Sequence, residues 1–316
     1  MLVLALCLPC LVACGDDMGK SHKEQSKAET HTGTETGTET GTESETDYIP
    51  SEGLEFTSNG DGTCSVTGLG TCSDSDMKIP KHSPAGDKVT SIGSGAFRSC
   101  DEITSVLVPN SIEIIGFGAF DSCSNLSSVI ISDGVKSIYS GAFYDCSSLS
   151  SIVIPKSVAS IGDFVFAYCD NLTSITVDTN NVHYKSIDGN LYTKDDTTLI
   201  QYATGKTSSH FTVPVATQYI HAFAFEGCMN LESVSIPEGV KAIGKLSFEG
   251  CWNLTRIEIP QSVNRIDSWA FQNCSSLSDI IYTGTRSQWG TITKDTEWNE
   301  YTGDYIIHCT DGTIPK

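Results

Sequence analysis

Thirteen cysteines in 316 residues are the first groups in this chain that could do chemistry. A thiolate ligates zinc, attacks electrophiles and exchanges with disulfides. Seven of the thirteen keep one interval: Cys100, Cys123, Cys146 and Cys169 follow at steps of 23, and so do Cys228, Cys251 and Cys274. A structural zinc site needs four ligands converging on a point, commonly from close Cys-x-x-Cys pairs, and none of these seven belongs to one. Residues one period apart sit at equivalent places in successive coils, so these thiols line one edge, within reach of disulfide formation only between neighbours. They are read as inert, buried thiols, since Cys is a good small core residue.

Other chemistries are no better supported. The chain has no Gly-x-Ser-x-Gly, no phosphate-binding Walker loop and no His-Glu-x-x-His, and its seven histidines are scattered. Asp195-Asp196 lies between β-prone runs, where Asp serves a turn by local hydrogen bonding. The composition counts 39 acidic against 19 basic residues, a formal charge of −20, which argues against nucleic acid as a partner. No enzyme, metal or cofactor is expected.

The elements that carry the cysteines repeat with them. Ala-Phe stands four and three places before the Cys (Ala96-Phe97, Ala119-Phe120, Ala142-Phe143, Ala224-Phe225, Ala270-Phe271), with Val165-Phe166 and Ser247-Phe248 as variants. An apolar residue stands three after it, as in Leu126, Leu149 and Leu254. A period of this size marks a solenoid in which each repeat contacts only its neighbours. Alternating β-branched runs such as Val106-Leu-Val108 before Pro109 and Ile152-Val-Ile154 before Pro155 read as short strands stopped by the Pro. The Gly-x-x-Ala-Phe-x-x-Cys part suits a short helical turn opposite the strand.

The interval from Cys169 to Cys228 is 59, one period of 23 and one of 36, so a single coil (178–213) is longer rather than a domain ending there. Ile187-Asp-Gly-Asn-Leu-Tyr192 predicts a hairpin or three-strand meander inside it. Aligned strands from residue 76 to 283 give about nine coils, roughly 40 Å at ~4.8 Å per step. Residues 51–75 read as an N-terminal β cap, with Asn59-Gly-Asp-Gly62 as its turn. A disulfide between Cys64 and Cys72 and a pair of packed thiols are both open there. Residues 284–316 form the C-terminal cap, with a short helix around a buried Trp289 and a terminal hairpin.

The chain opens on an apolar stretch, residues 1–13, too short to span a bilayer, followed by Cys14. Leu11-Val-Ala-Cys14 is similar to a lipoprotein signal, which predicts export, lipid attachment at Cys14 and anchoring to a membrane. The basic n-region expected of such a signal is missing here, which predicts a natural start further upstream. Residues 14–50, rich in Thr-Gly-Thr-Glu, predict a disordered acidic tether.

The Ile-Gly-x-x-Ala-Phe-x-x-Cys-x-x-Leu-x-x-Ile-x-Ile-Pro unit, the long Tyr184–Tyr202 coil and the Gly284-Thr-x-x-Gln288-Trp289 ending resemble the BspA-like, type-5 leucine-rich repeat family of bacterial surface proteins. The resemblance covers residues 56 to 316 and implies a leucine-rich-repeat solenoid at the cell surface or in the periplasm. It also implies protein partners: some members bind host matrix proteins such as fibronectin and fibrinogen. No binding motif transfers residue by residue.

What remains is a surface. The outward position before the first inward aliphatic is mostly Ser (Ser105, Ser128, Ser151), and the one between the inward pair reads Leu107, Ile130, Val153 in three consecutive coils. An exposed apolar strip of this kind is the candidate binding site, with β-propensity or coverage by another segment as the bland reading. The function expected is protein binding, adhesin-like. A structural envelope component without a ligand is one alternative, and a glycan-binding module, which needs exposed aromatics absent from these columns, is another.

Overall fold

The computed structural model describes residues 48–316. The expected signal segment (1–13), Cys14 and nearly all of the expected acidic tether (14–50) lie outside the described residues. Each 23-residue coil contributes a long strand, a short strand and a run of turns. The long strands, among them Asp76–Lys78, Ser105–Val108, Ser128–Ile131, Ser151–Ile154, Ser174–Val177, His210–Thr212, Ser233–Ser235, Arg256–Ile259 and Asp279–Tyr282, stack on one side. Their pairings are parallel and keep the repeat register, with Val106 opposite Val129 and Ile257 opposite Ile280. The short strands, such as Ile114–Ile115, Ser137–Ile138 and Ala242–Ile243, stack on the other.

The expected helical turn is instead this second strand followed by tight turns. The turns use backbone donors alternately. Cys100 N–H bonds Phe97 O within its own coil at 3.1 Å, while Phe97 N–H bonds Ala119 O of the next coil at 2.8 Å. Half of the amides thus tie coils together where a helix would have turned all of them inward. Two residues per coil take left-handed backbone to do this, Gly95 and Ser99 in one coil, Phe164 and Tyr168 in another.

The core is one of columns. Phe97, Phe120, Phe143 and Phe166 stack face to face at 5.2, 5.3 and 5.9 Å between ring centroids, and Phe225, Phe248 and Phe271 resume at 4.6 and 5.1 Å. Offset stacking adds to the apolar area each ring buries. The coil completes about 11 turns, more than the nine counted from the array, because both caps continue it. Thr63–Gly68 of the N-terminal hairpin pairs parallel with Lys88–Ile92, and Ile306–Cys309 of the C-terminal hairpin pairs parallel with Asp279–Tyr282. The C-terminal helix is Arg286–Thr291, closed by a Thr285/Gln288 capping box and burying Trp289.

The long coil is the expected three-strand meander, Tyr184–Ile187, Asn190–Thr193 and Thr198–Gln201. Its last strand rejoins the short-strand sheet beside Tyr219–Ile220. Both sheets are interrupted there, and the buried apolar residues fall into two clusters that meet in it.

Candidate binding surface

Alternation in the long strands sends every second side chain outward. Val106 and Val108 are buried while Ser105 and Leu107, which alternate with them, are half-buried, and the pattern sharpens in the next coils. Ile130 is 54% and Val153 56% exposed, high for aliphatics held in ordered strands. Ser128 and Ser151 beside them are exposed and small. Leu107 contributes less than its place in the column predicts. Leu107 and Ile130 are register partners, but Val153 pairs with Thr176 in a separate two-strand piece, so the strip crosses an interruption in the sheet. At that interruption the inward Val129 and Ile131 are each 8% exposed, against 1% for Ile152. Lys156 and Asp133 close the turn beside it with an ion pair of 2.9 Å.

Beyond Val153 the same column turns polar, through Thr176, Thr212, Ser235 and Glu258. A Ser–His contact lies on this half: His210 Nδ1 is 2.9 Å from Ser233 Oγ. The other ring nitrogen meets Thr212 Oγ1 at 3.1 Å rather than a carboxylate, so no orienting acid completes a nucleophilic triad. At the far end His308 Nε2 sits 2.7 Å from Asp279, whose carboxyl is held below its usual range by the Ser278 hydroxyl and by His308.

The cysteine column is in the interior. Cys123, Cys146, Cys169, Cys228, Cys251 and Cys274 are buried, and only Cys100, at the start of the line, is half-buried. Burial pushes the Cys123 thiol up to about 12 and Cys146 well above the ordinary thiol range. Six of the seven thiols donate to a backbone carbonyl: Cys146 Sγ, for example, to Phe120 O at 3.1 Å, and Cys274 Sγ to Phe248 O at 3.1 Å. Asn125 and Asn171 also serve the coil stacking, donating to Asp101 O and Ser147 O of the preceding coil at 2.9 and 2.8 Å. Asp195 accepts from Thr193 and Thr197 in its turn, and Asp196 pairs with Lys185.

Cys64 and Cys72 do not face each other across the N-terminal hairpin, and both are free thiols. The hairpin pairs Glu55–Ser58 with Thr63–Gly68, which puts Ser58 opposite Cys64. Cys72 lies past the second strand, in a turn whose N–H bonds Leu69 O. The turn signal at Asn59–Gly62 places the hairpin one strand earlier than a Cys64–Cys72 pairing requires.

Comparison with known proteins places this geometry. A family model described as "BspA type Leucine rich repeat region" matches residues 90–204 and 197–293, in six copies. The chain belongs to the BspA-type leucine-rich repeat family. Among solved structures, the pneumococcal vaccine antigen PcpA aligns with a TM-score of 0.63 at 23% identity, over 77% of this chain and 65% of that one. This BspA-type chain therefore spans about two thirds of PcpA's length, and the likeness is one of fold. A leucine-rich repeat protein from Bacteroides ovatus aligns at 0.49, with 22% identity over 82% of this chain and 71% of its own. A leucine rich cell surface protein from Faecalibacterium prausnitzii aligns at 0.42, with 22% identity over 78% and 97%. No curated protein matches the sequence.

One cluster escaped the sequence reading. On the turn side of the long coil, Tyr168 reaches over two later coils to Glu249, beside a buried Glu226. Nothing in the spacing pointed to it, because its members stand 81 residues apart across a coil of irregular length. Among the described residues, no helix is long and apolar enough to cross a membrane, and no group of three metal-ligating side chains occurs.

Proposed function

We propose that this BspA-type repeat protein is exported, anchored through a lipid on Cys14, and acts at the cell surface by binding other proteins through the strip at Ser105, Leu107, Ser128, Ile130, Ser151 and Val153. The observation that carries the binding reading is the exposure of Ile130 and Val153 in the middle of an otherwise polar face. Burying an exposed aliphatic against a partner gains about 25 cal/mol per Å² of apolar surface, and neighbouring serines let a partner approach closely. The protein works as a binding surface rather than an enzyme: the contact of His210 with Ser233 lacks an acid, and the thiols of the cysteine column are sealed in the core.

The test uses residues 48–316 on immobilised fibronectin and fibrinogen. Paired Ile130→Asp and Val153→Asp substitutions are expected to abolish binding while leaving the far-ultraviolet spectrum and melting temperature unchanged. Full binding by a folded double variant would remove the strip from consideration. Anchoring is tested separately: the full chain is expected to enter the detergent phase, and Cys14→Ala to remain aqueous. A wild type that stays aqueous would defeat the lipid assignment.

A further inference from the structure

The joint between the two core clusters is held by side chains where the backbone ladder lapses. In other coils the left-handed residue and the Phe of each turn donate forward: Gly118 to Ser140 O, Phe120 to Ala142 O, Ser122 to Tyr144 O. Among the described residues, the N–H groups of Phe164, Phe166 and Tyr168 make no such bond to the long coil that follows. The ladder resumes with Tyr202 N–H to Ala224 O at 2.8 Å.

Two aromatic side chains span the shortfall. Phe164 packs edge-on against Phe223 at 5.1 Å. Tyr168 lies flat on the backbone of two later coils: a Cβ at Gly227 would fall 2.8 Å from its ring, and one at Gly250 would fall 2.5 Å from its hydroxyl. The other coils carry Ser99, Ser122, Asp145 and Asn273 at this place, so the two glycines make room for the ring. The tyrosine hydroxyl then donates to Glu249 Oε2 at 2.6 Å, and Asn273 Nδ2 donates to Glu249 Oε1 at 3.0 Å.

Glu226 stands one coil step before Glu249, roughly 4.8 Å along the stack. It is 8% exposed, and its Oε2 has no hydrogen-bond partner among the described residues. The groups that interact with it electrostatically are Glu249 from the next coil, Tyr144 and Tyr168 from the two coils before the joint, and Cys228 on its own turn. None of these is a cation. A carboxylate out of water with a second carboxylate one coil away is costly to ionise, so Glu226 retains its proton.

We propose that Glu226 and Glu249 form a proton-operated lock on the joint: a proton held on Glu226 keeps the Tyr168–Glu249 staple closed, and its loss loosens the joint between the two halves of the solenoid. Burial, and secondarily Glu249, raises the Glu226 carboxyl from 4.5 to about 8 in the closed state. Opening returns Glu226 to water and to its ordinary range. The closed state therefore binds the extra proton, and the opening equilibrium rises about tenfold for each pH unit between roughly 4.5 and 8, then levels off.

Hydrogen exchange of residues 48–316, expressed as protection relative to intrinsic rates, reads this directly. Between pH 5.5 and 7.5, protection of the Tyr202 amide is expected to fall about 100-fold, while that of Ile138, well inside the N-terminal half, stays within about threefold. Glu226→Gln keeps the shape and neutral charge and is expected to hold Tyr202 protection constant over the same range. Tyr168→Phe, which removes only the staple hydroxyl, is expected to lower Tyr202 protection already at pH 5.5. Tyr202 protection that does not fall, that falls equally in Glu226→Gln, or that falls together with Ile138 would each overturn the lock.

Discussion

Removal of one thiol from the middle of the cysteine column separates packing from hydrogen bonding. Cys146 is fully buried and donates to Phe120 O at 3.1 Å, but that carbonyl also accepts the backbone N–H of Cys123 at 3.2 Å. Cys146→Ala therefore leaves no orphaned acceptor. Its cost is the transfer free energy of one sulfur, on the scale of ~0.8 kcal/mol per methylene. A residual void of about 25–30 Å³ at ~24 cal/mol per Å³ adds roughly 0.7 kcal/mol. The sum is about 1.5 kcal/mol. Cys146→Ser restores a donor to the same carbonyl, but a net hydrogen bond contributes only about 0.5–1.5 kcal/mol, comparable to the cost of burying a hydroxyl. Ser is therefore expected to be no more stable than Ala. Urea titration of residues 48–316 by tryptophan fluorescence decides the order, with an unchanged slope as the check that both variants unfold as the parent does. A Ser variant equal to the parent beside an Ala variant that loses more than ~3 kcal/mol would show that the thiol acts chiefly as a donor and refute the packing account.

Three further outcomes follow from single contacts and are read by the same titration. Gly95 and Gly227 both have left-handed backbone, but a Cβ at Gly95 meets open space while one at Gly227 meets the Tyr168 ring; Gly95→Ala is expected to cost about 1 kcal/mol and Gly227→Ala at least ~1 kcal/mol more. Asn181 is buried where the preceding coil has Val158, and it bonds Pro155 O, Val158 O, His183 N–H and Tyr184 N–H; Asn181→Ala strands two donors and is expected to cost about 2–4 kcal/mol. Thr285→Ala removes one half of the capping box on the Arg286–Thr291 helix and is expected to cost about 1 kcal/mol.

What was legible in the sequence is what recurs. A residue type that returns every 23 positions faces the same environment each time, so spacing alone assigns the columns of Phe, Cys and Leu to the core and the Ser column to the surface. The meander at Tyr184–Gln201 was legible because its turn residues, Asp188-Gly189 and Asp195-Asp196, carry their own signal. The second short strand was not, since two residues such as Ser137-Ile138 are too few to show alternation. The register of the hairpin at Cys64 was hidden for a similar reason: the pairing is set by the left-handed Gly60 and Gly62, while the cysteines only happen to flank its end.

The joint shows the limit of reading columns. Periodicity assigns residue 168 to the solvent-facing turn position held by Ser99, Ser122 and Asp145, where a tyrosine looks like a harmless surface variant. Its meaning comes from the coils that follow: the ring meets Tyr144 of the preceding coil edge-on at 5.4 Å and, on its other side, lies across two glycines. Glu226 is equally ordinary by position, matching Arg98 and Gln272, yet it is a buried acid within electrostatic reach of Tyr144, Tyr168 and Glu249. In a repeat protein each coil contacts only its neighbours, so an error of length in one coil must be repaired by side chains reaching over it. Side chains that break the column pattern beside an insertion are therefore where a solenoid's particular properties are to be sought, and the regular columns report only that it is a solenoid.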